Sequence, residues 1–177
     1  MKSIPVLVSL CAFFLSAARA LELAVPFTDN MILQRGQEVP VWGFDQPGSE
    51  IVVEFAGQIQ RAKADDKGDW MVRLGMMEAS LEERAMTIAN GRGETVTLNG
   101  VLVGEVWFSS GQSNMVWTAG QSMCRDLARE IATSDKEIPI REINIDTVPA
   151  LYPQKKGTSA ECWNRSKPAD GCPALSQ

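Results

Sequence analysis

Histidine occurs nowhere in the 177 residues, so no imidazole is available within this chain for general-base work or metal ligation. Basic clusters are missing too. Lys and Arg number 17 against 22 Asp and Glu, a formal net charge of −5, which leaves few cations to neutralise phosphates and excludes nucleic acid as an expected partner. After residue 20 no apolar run approaches the ~20 residues a membrane span needs. Cysteine is sparse, and the four present form no close pair; without histidine, that argues against a metal site. What is there is ordinary for a globular protein: 45% apolar and 22% charged residues imply a packed core. The length suits one domain, or a small domain followed by part of a second.

The first twenty residues differ from the rest. Lys2 gives a positive start, Ile4 to Ala17 are uncharged and mostly apolar, and Ala18-Arg19-Ala20 forms a small-x-small cleavage site. This pattern predicts a secretory signal over 1–20, cleavage after Ala20, and a secreted or periplasmic protein. Cleavage removes Lys2, Arg19 and no acid, leaving 15 basic and 22 acidic residues and a net charge of −7. Cys11 leaves with the signal. Of the remaining Cys124, Cys162 and Cys172, the last two are nearest in sequence and are candidates to pair in an oxidising compartment, with one thiol left over.

Residues 21–102 carry the punctuation of a small all-β, sandwich-like domain. Val39–Phe44, Ile51–Phe55, Trp70–Leu74 and Glu94–Leu98 read as short strands separated by Gly, Pro, Asp and Asn clusters. Gln46-Pro-Gly-Ser49 and Asp66-Lys-Gly-Asp69 have the residue types of tight turns. In the second strand Ile51, Val53 and Phe55 fall on one face, with Val52 and Glu54 on the other. Trp42 and Trp70 are expected in the core rather than on a sugar platform.

The character changes near Val101. Val101–Phe108 is nearly continuous apolar sequence, as expected of a strand buried on both faces of a parallel sheet. A turn follows at Ser109–Asn114. Ser122 to Ala132 then places Met123, Leu127, Ala128 and Ile131 at helical spacing, and Ile140–Ile145 alternates like a strand between Pro139 and Pro149. Strand, turn, helix and strand predict one βαβ unit, which is too little for a complete α/β domain. From Pro149 onward no periodicity is evident.

The turn at Gly111-Gln-Ser-Asn114 is the segment that suggests chemistry. A serine between a buried strand and a helix is lifted to the carboxyl edge of the sheet, with Oγ in the open. Backbone N–H groups at the start of the next helix would favour an oxyanion there. Gly111 permits the tight turn, and Gln112 and Asn114 are candidates to fix the loop around Ser113. By residue type such a turn is also an ordinary N-cap, so the wider context decides.

That context is Gly104-Glu-Val-Trp-Phe-Ser-Ser-Gly-Gln-Ser-Asn-Met115, which resembles the first catalytic block of the sialate O-acetylesterases, within the SGNH hydrolase superfamily. Upstream, Asp29–Arg35, Val41-Trp-Gly-Phe44 and Pro47-Gly48 are similar to that family's β-rich leading region. Downstream, Trp163–Pro168 resembles the stretch before its next α/β elements. The resemblance implies an SGNH, flavodoxin-like hydrolase domain over 103–177, represented by its N-terminal part. It implies Ser113 as nucleophile and backbone oxyanion donor, an O-acetylated sugar as substrate, and no cofactor or metal. The family's remaining oxyanion donors and Asp-x-x-His pair come from later sequence, so this chain by itself is expected to be inactive. Two other readings stay open: an exported β module for binding or interaction, with Ser113 only a turn residue, and a truncated inactive copy.

Overall fold

The computed structural model describes residues 20–111, 113, 140–146, 148–157 and 162–165. Eight strands lie in the first part: β1 Glu22–Leu23, β2 Ile32–Gln34, β3 Val39–Phe44, β4 Glu50–Phe55, β5 Gln58–Lys63, β6 Asp69–Leu74, β7 Ser80–Asn90 and β8 Thr95–Gly104. They form two sheets, one ordered β1-β3-β6 and the other β2-β8-β7-β4-β5. All neighbours are antiparallel except β2 and β8, which run parallel with Ile32 opposite Leu102 and Gln34 opposite Gly104.

Alternation along the strands supplies the core. Ile51, Val53 and Phe55 of β4 are buried on one face, while Glu54 between them is exposed. Val41, Val72 and Leu74 from the three-stranded sheet meet Met86, Ile88 and Val101 from the five-stranded sheet in one cluster. Each such side chain contributes roughly 1.5–3 kcal/mol by leaving water. Trp70 joins the core as expected. Trp42 is only half-buried: its ring meets Phe27 edge-on with centroids 4.7 Å apart, and its Nε1 donates to the Lys155 carbonyl at 3.1 Å.

The turns follow their residue chemistry. Ser49 N donates to Gln46 O at 3.0 Å across Pro47-Gly48, with Gly48 at φ 81°, as a turn with Pro second and Gly third requires. In the next turn Asp65 Oδ1 accepts from Lys67 N at 2.8 Å and Asp69 N at 2.9 Å. These two N–H donors hold the Asp65 carboxyl below its ordinary range. Gly43 answers a different need. A Cβ there would collide with the Glu22 carbonyl oxygen and lie 2.7 Å from Trp70 Cζ2, so only glycine lets β1 and the Trp70 ring close over β3.

Three sequence expectations differ from the structure. The strand expected over Val101–Phe108 as part of a parallel α/β sheet is instead the end of β8, continuous with the strand expected at Glu94–Leu98. Its hydrogen-bond partners are β2 on one side and β7 on the other, both within the five-stranded sheet. Val101, Leu102 and Val103 are buried, but the strand stops at Gly104, and Trp107 and Phe108 are 86% and 87% exposed. The strand expected over Ile140–Ile145 shortens to β9, Arg141–Glu142, paired antiparallel with β10, Asn164–Arg165. Among the described residues β9 does not pair with β8, so the parallel βαβ pairing is not formed there. The helix expected over Ser122–Ala132, the signal expected over 1–20 apart from Ala20, Cys124 and Cys172 lie outside the described residues; Cys162 is exposed.

Candidate active site

The approach to the serine turn is fixed at the exit of β8. Arg35 N donates to Gly104 O at 2.9 Å, continuing the pairing of β2 with β8 by one residue. Glu105 then receives Arg35 Nε at 2.6 Å and Gln34 Nε2 at 3.0 Å, and Val106 N donates to Gln34 Oε1 at 2.7 Å. Gln34 thus clamps two successive residues with its two amide ends. The Gln34 hydrogen bond first, and the Arg35 bond next, hold the Glu105 carboxyl below its usual range. Arg35 and Glu105 are each about half exposed, at 50% and 49%, so solvent screens this pair.

Beyond that clamp the chain runs exposed through Trp107 to Gly111, and Ser113 is exposed as well. Gln112 and Asn114, expected to fix the loop, lie outside the described residues. An exposed hydroxyl is accessible to an acyl substrate, but it is a weak nucleophile without a base to take its proton. The chain contains no histidine to serve as that base.

Beside the clamp is an open apolar hollow of about 170 Å³, walled by Phe27, Leu33, Val39, Trp42, Val106 and Trp163 among others. Trp163 is anchored there by Nε1 donating to Pro26 O at 2.8 Å and by its N–H to Thr28 Oγ1 at 3.3 Å. Among the described residues no group of three or more His, Cys, Asp or Glu could hold a metal ion, and no helix is long and apolar enough to cross a membrane.

Sequence reasoning singled out Ser113 and its neighbours and missed Gln34, Arg35 and Glu105. All three sit within the strings that carry the family resemblance. Arg35 and Glu105, however, are 70 residues apart in sequence, and no spacing rule joins them.

No protein-family model matches the chain. It is 33% identical over 105 residues to the sialate O-acetylesterase of Mus musculus, covering 54% of this chain and 19% of that protein. It is 28% identical over 145 residues to the sialate O-acetylesterase of Homo sapiens, covering 76% of this chain and 27% of that protein. The crystal structure of a carbohydrate acetylesterase from Xanthomonas citri superposes with a TM-score of 0.71 at 29% identity, over 86% of this chain and 34% of that one. The chain therefore spans between about a fifth and a third of these relatives' lengths. In sequence this chain is thus similar to part of two mammalian sialate O-acetylesterases, and in its mostly β-sheet structure to part of a carbohydrate acetylesterase.

Proposed function

We propose that this chain is the leading portion of an exported carbohydrate O-acetylesterase of the SGNH type, in which the two β-sheets form a sandwich-like domain ahead of the hydrolase domain. Ser113 is its nucleophile. The observation that carries this reading is the exposed Ser113 beyond a strand end pinned by Gln34, Arg35 and Glu105, in a chain similar to named acetylesterases. Residues 1–20 serve as the export signal, removed after Ala20.

In the reaction Ser113 Oγ attacks the acetyl carbonyl carbon of an O-acetylated sugar, while its proton passes to a base. The carbonyl π pair moves onto oxygen, and the Ser113 backbone N–H donates to that oxyanion. Collapse expels the sugar oxygen, which takes the proton from the base, and leaves an acetyl ester on Ser113. Water then adds to this ester and releases acetate. This chain has no histidine, so in this reading the base is a group that these 177 residues do not supply.

Nucleophile and base act as a unit, so losing the base costs nearly as much as losing the whole triad. The 177-residue chain should therefore hydrolyse p-nitrophenyl acetate no faster than its Ser113→Ala variant. A longer protein continuing into an Asp-x-x-His segment should deacetylate O-acetylated sugars, and Ser113→Ala should remove that activity. Repeated turnover by the short chain that depends on Ser113 would overturn the account of the missing base. A long protein indifferent to Ser113 would overturn the nucleophile assignment.

A further inference from the structure

The start of β1 meets a polar cluster that bridges the two sheets. Asp45, just after β3, is fully buried; its Oδ2 accepts from Asn90 Nδ2 at 2.9 Å and its Oδ1 from Arg92 Nη2 at 2.5 Å. Asn90, at the end of β7, turns its amide oxygen to Arg92 N and Glu94 N, each at 3.0 Å, and so shapes the turn that presents Glu94. Glu94 Oε2 gathers three donors: Asn90 Nδ2 at 2.7 Å, Arg92 Nη2 at 2.9 Å and the backbone nitrogen of Leu21 at 3.1 Å. The Leu21 nitrogen is held from its own side as well. The Leu21 side chain is buried in the core, and Glu22 and Leu23 pair with Phe44 and Gly43. Ala20, one residue earlier, is exposed.

We propose that Glu94 is the receptor for a free α-ammonium group at Leu21, created when residues 1–20 are removed, so that processing adds a second cation to a cluster built around two carboxylates. The proposal rests on the export reading above. Cleavage leaves the nitrogen where it is, replaces one N–H by three and adds a full charge, turning a neutral-donor contact into a charge-assisted one. Among the described side chains of the cluster, the carboxylates of Asp45 and Glu94 face one guanidinium, that of Arg92, and the neutral amide of Asn90. An ammonium at Leu21 brings the cations at this cluster to two. Glu94 is prepared for it: the Leu21 N–H first, and Asn90 next, hold its carboxyl below the ordinary range.

The sign of the pH effect follows. An α-amino group ordinarily titrates near ~7.7–8.0, and pairing with a carboxylate raises it in the folded state. The contribution to stability is therefore complete below the unfolded value and is lost as pH rises through the raised folded value.

The test exports the full chain, determines its first residue by mass and N-terminal sequencing, and follows the α-amino group by NMR titration. Glu94→Gln and a form retaining Ala20 are compared, with circular dichroism as the check on folding. A chain beginning at Leu21 should titrate about one unit or more above the ordinary value, a tenfold shift in the proton equilibrium. Both comparison proteins should return to the ordinary value. If Glu94→Gln does not fold, the Ala20-retaining form decides, since it moves the ammonium off the carboxylate. A Leu21 start with ordinary titration, or a raised value that survives Glu94→Gln, overturns ammonium capture and leaves the export reading intact. A chain that begins elsewhere overturns both.

Discussion

Residues 21–104 and the described residues from 140 onward are held by different forces. In the first region two sheets share one apolar core, and side chains such as Ile88, Met86 and Leu74 have no exposed surface. The second region adds almost nothing to that core apart from Trp163. It is fastened by polar contacts instead. The Arg141 guanidinium, fully buried, donates to Asn30 O at 2.7 Å, to Gly100 O, and to Glu83 Oε1 at 2.9 Å. Lys155 pairs with Asp69, Lys156 with Glu22, and Val25 N reaches Lys156 O at 3.2 Å. Hydrophobic burial makes the first region cooperative, whereas point contacts of the second kind can be lost one at a time.

The contrast can be broken most severely in the core. Ile88→Ala should cost roughly 2–5 kcal/mol, because a fully buried methyl-rich side chain leaves a cavity between both sheets. Denaturant unfolding should show one earlier transition for the whole β region. A loss too small to move the midpoint would mean that the sheets do not share a core. Gly43→Ala comes next, at about 1–3 kcal/mol, since the new Cβ must push away the Glu22 carbonyl or the Trp70 ring. Faster hydrogen exchange in β1 than in β7 would locate the damage.

Arg141→Leu probes the other region. It should cost about 1–3 kcal/mol through the lost bonds to two carbonyls and Glu83. The increase in exchange should concentrate in residues 140–165. Equal loosening of β4 and β7 would show that the second region is part of the same cooperative unit.

A smaller, opposite effect is expected at the β4–β5 hairpin. Ala56 and Gly57 both have positive φ, 49° and 77°, as a two-residue turn between twisted strands demands, yet alanine adopts that conformation reluctantly. Ala56→Asn should stabilise by up to about 1 kcal/mol, read as a higher melting temperature. The least effect belongs to the Lys155–Asp69 pair, whose lysine side chain is 70% exposed. The Asp69 hydrogen bond, then its charge, raise the Lys155 pKa. Its contribution is therefore present below the lysine's unfolded value and is lost as pH rises through the folded one. Added salt should mimic that loss through screening. A salt-insensitive attachment of residues 151–157, followed by exchange of Val25 N–H, would show that the pair is dispensable.

Much of the β region was legible in the sequence, and for a specific reason. Ile51, Val53 and Phe55 alternate with outward residues, and the Pro-Gly and Asp-Lys-Gly turns lie where chain reversal occurs. Strands β5 and β7 were not legible. Gln58–Lys63 forms the sheet edge and is mostly polar, while the first half of β7 is charged and crosses two register irregularities between Ser80 and Met86. Neither presents the apolar alternation that marks a strand. At the site, Ser113 was singled out by its turn and by family resemblance. The clamp that fixes the approach to it was not, because Gln34 and Glu105 meet only when β2 pairs with β8.

The sequence by itself determined the absence of histidine, hence the lack of a Ser-His pair in this chain, and the alternation that commits residues such as Ile51–Phe55 to strands. Those are properties of composition and of neighbours two residues apart. Only the tertiary structure decided that Val101–Val103 end β8 of the five-stranded sheet, that Arg141 is buried against Asn30 and Gly100, and that Glu94 meets the Leu21 nitrogen 73 residues away. Each of these joins groups distant in sequence. Hydrogen-bond partners and the burial of charge depend on which strands come together, and local periodicity carries no record of that choice.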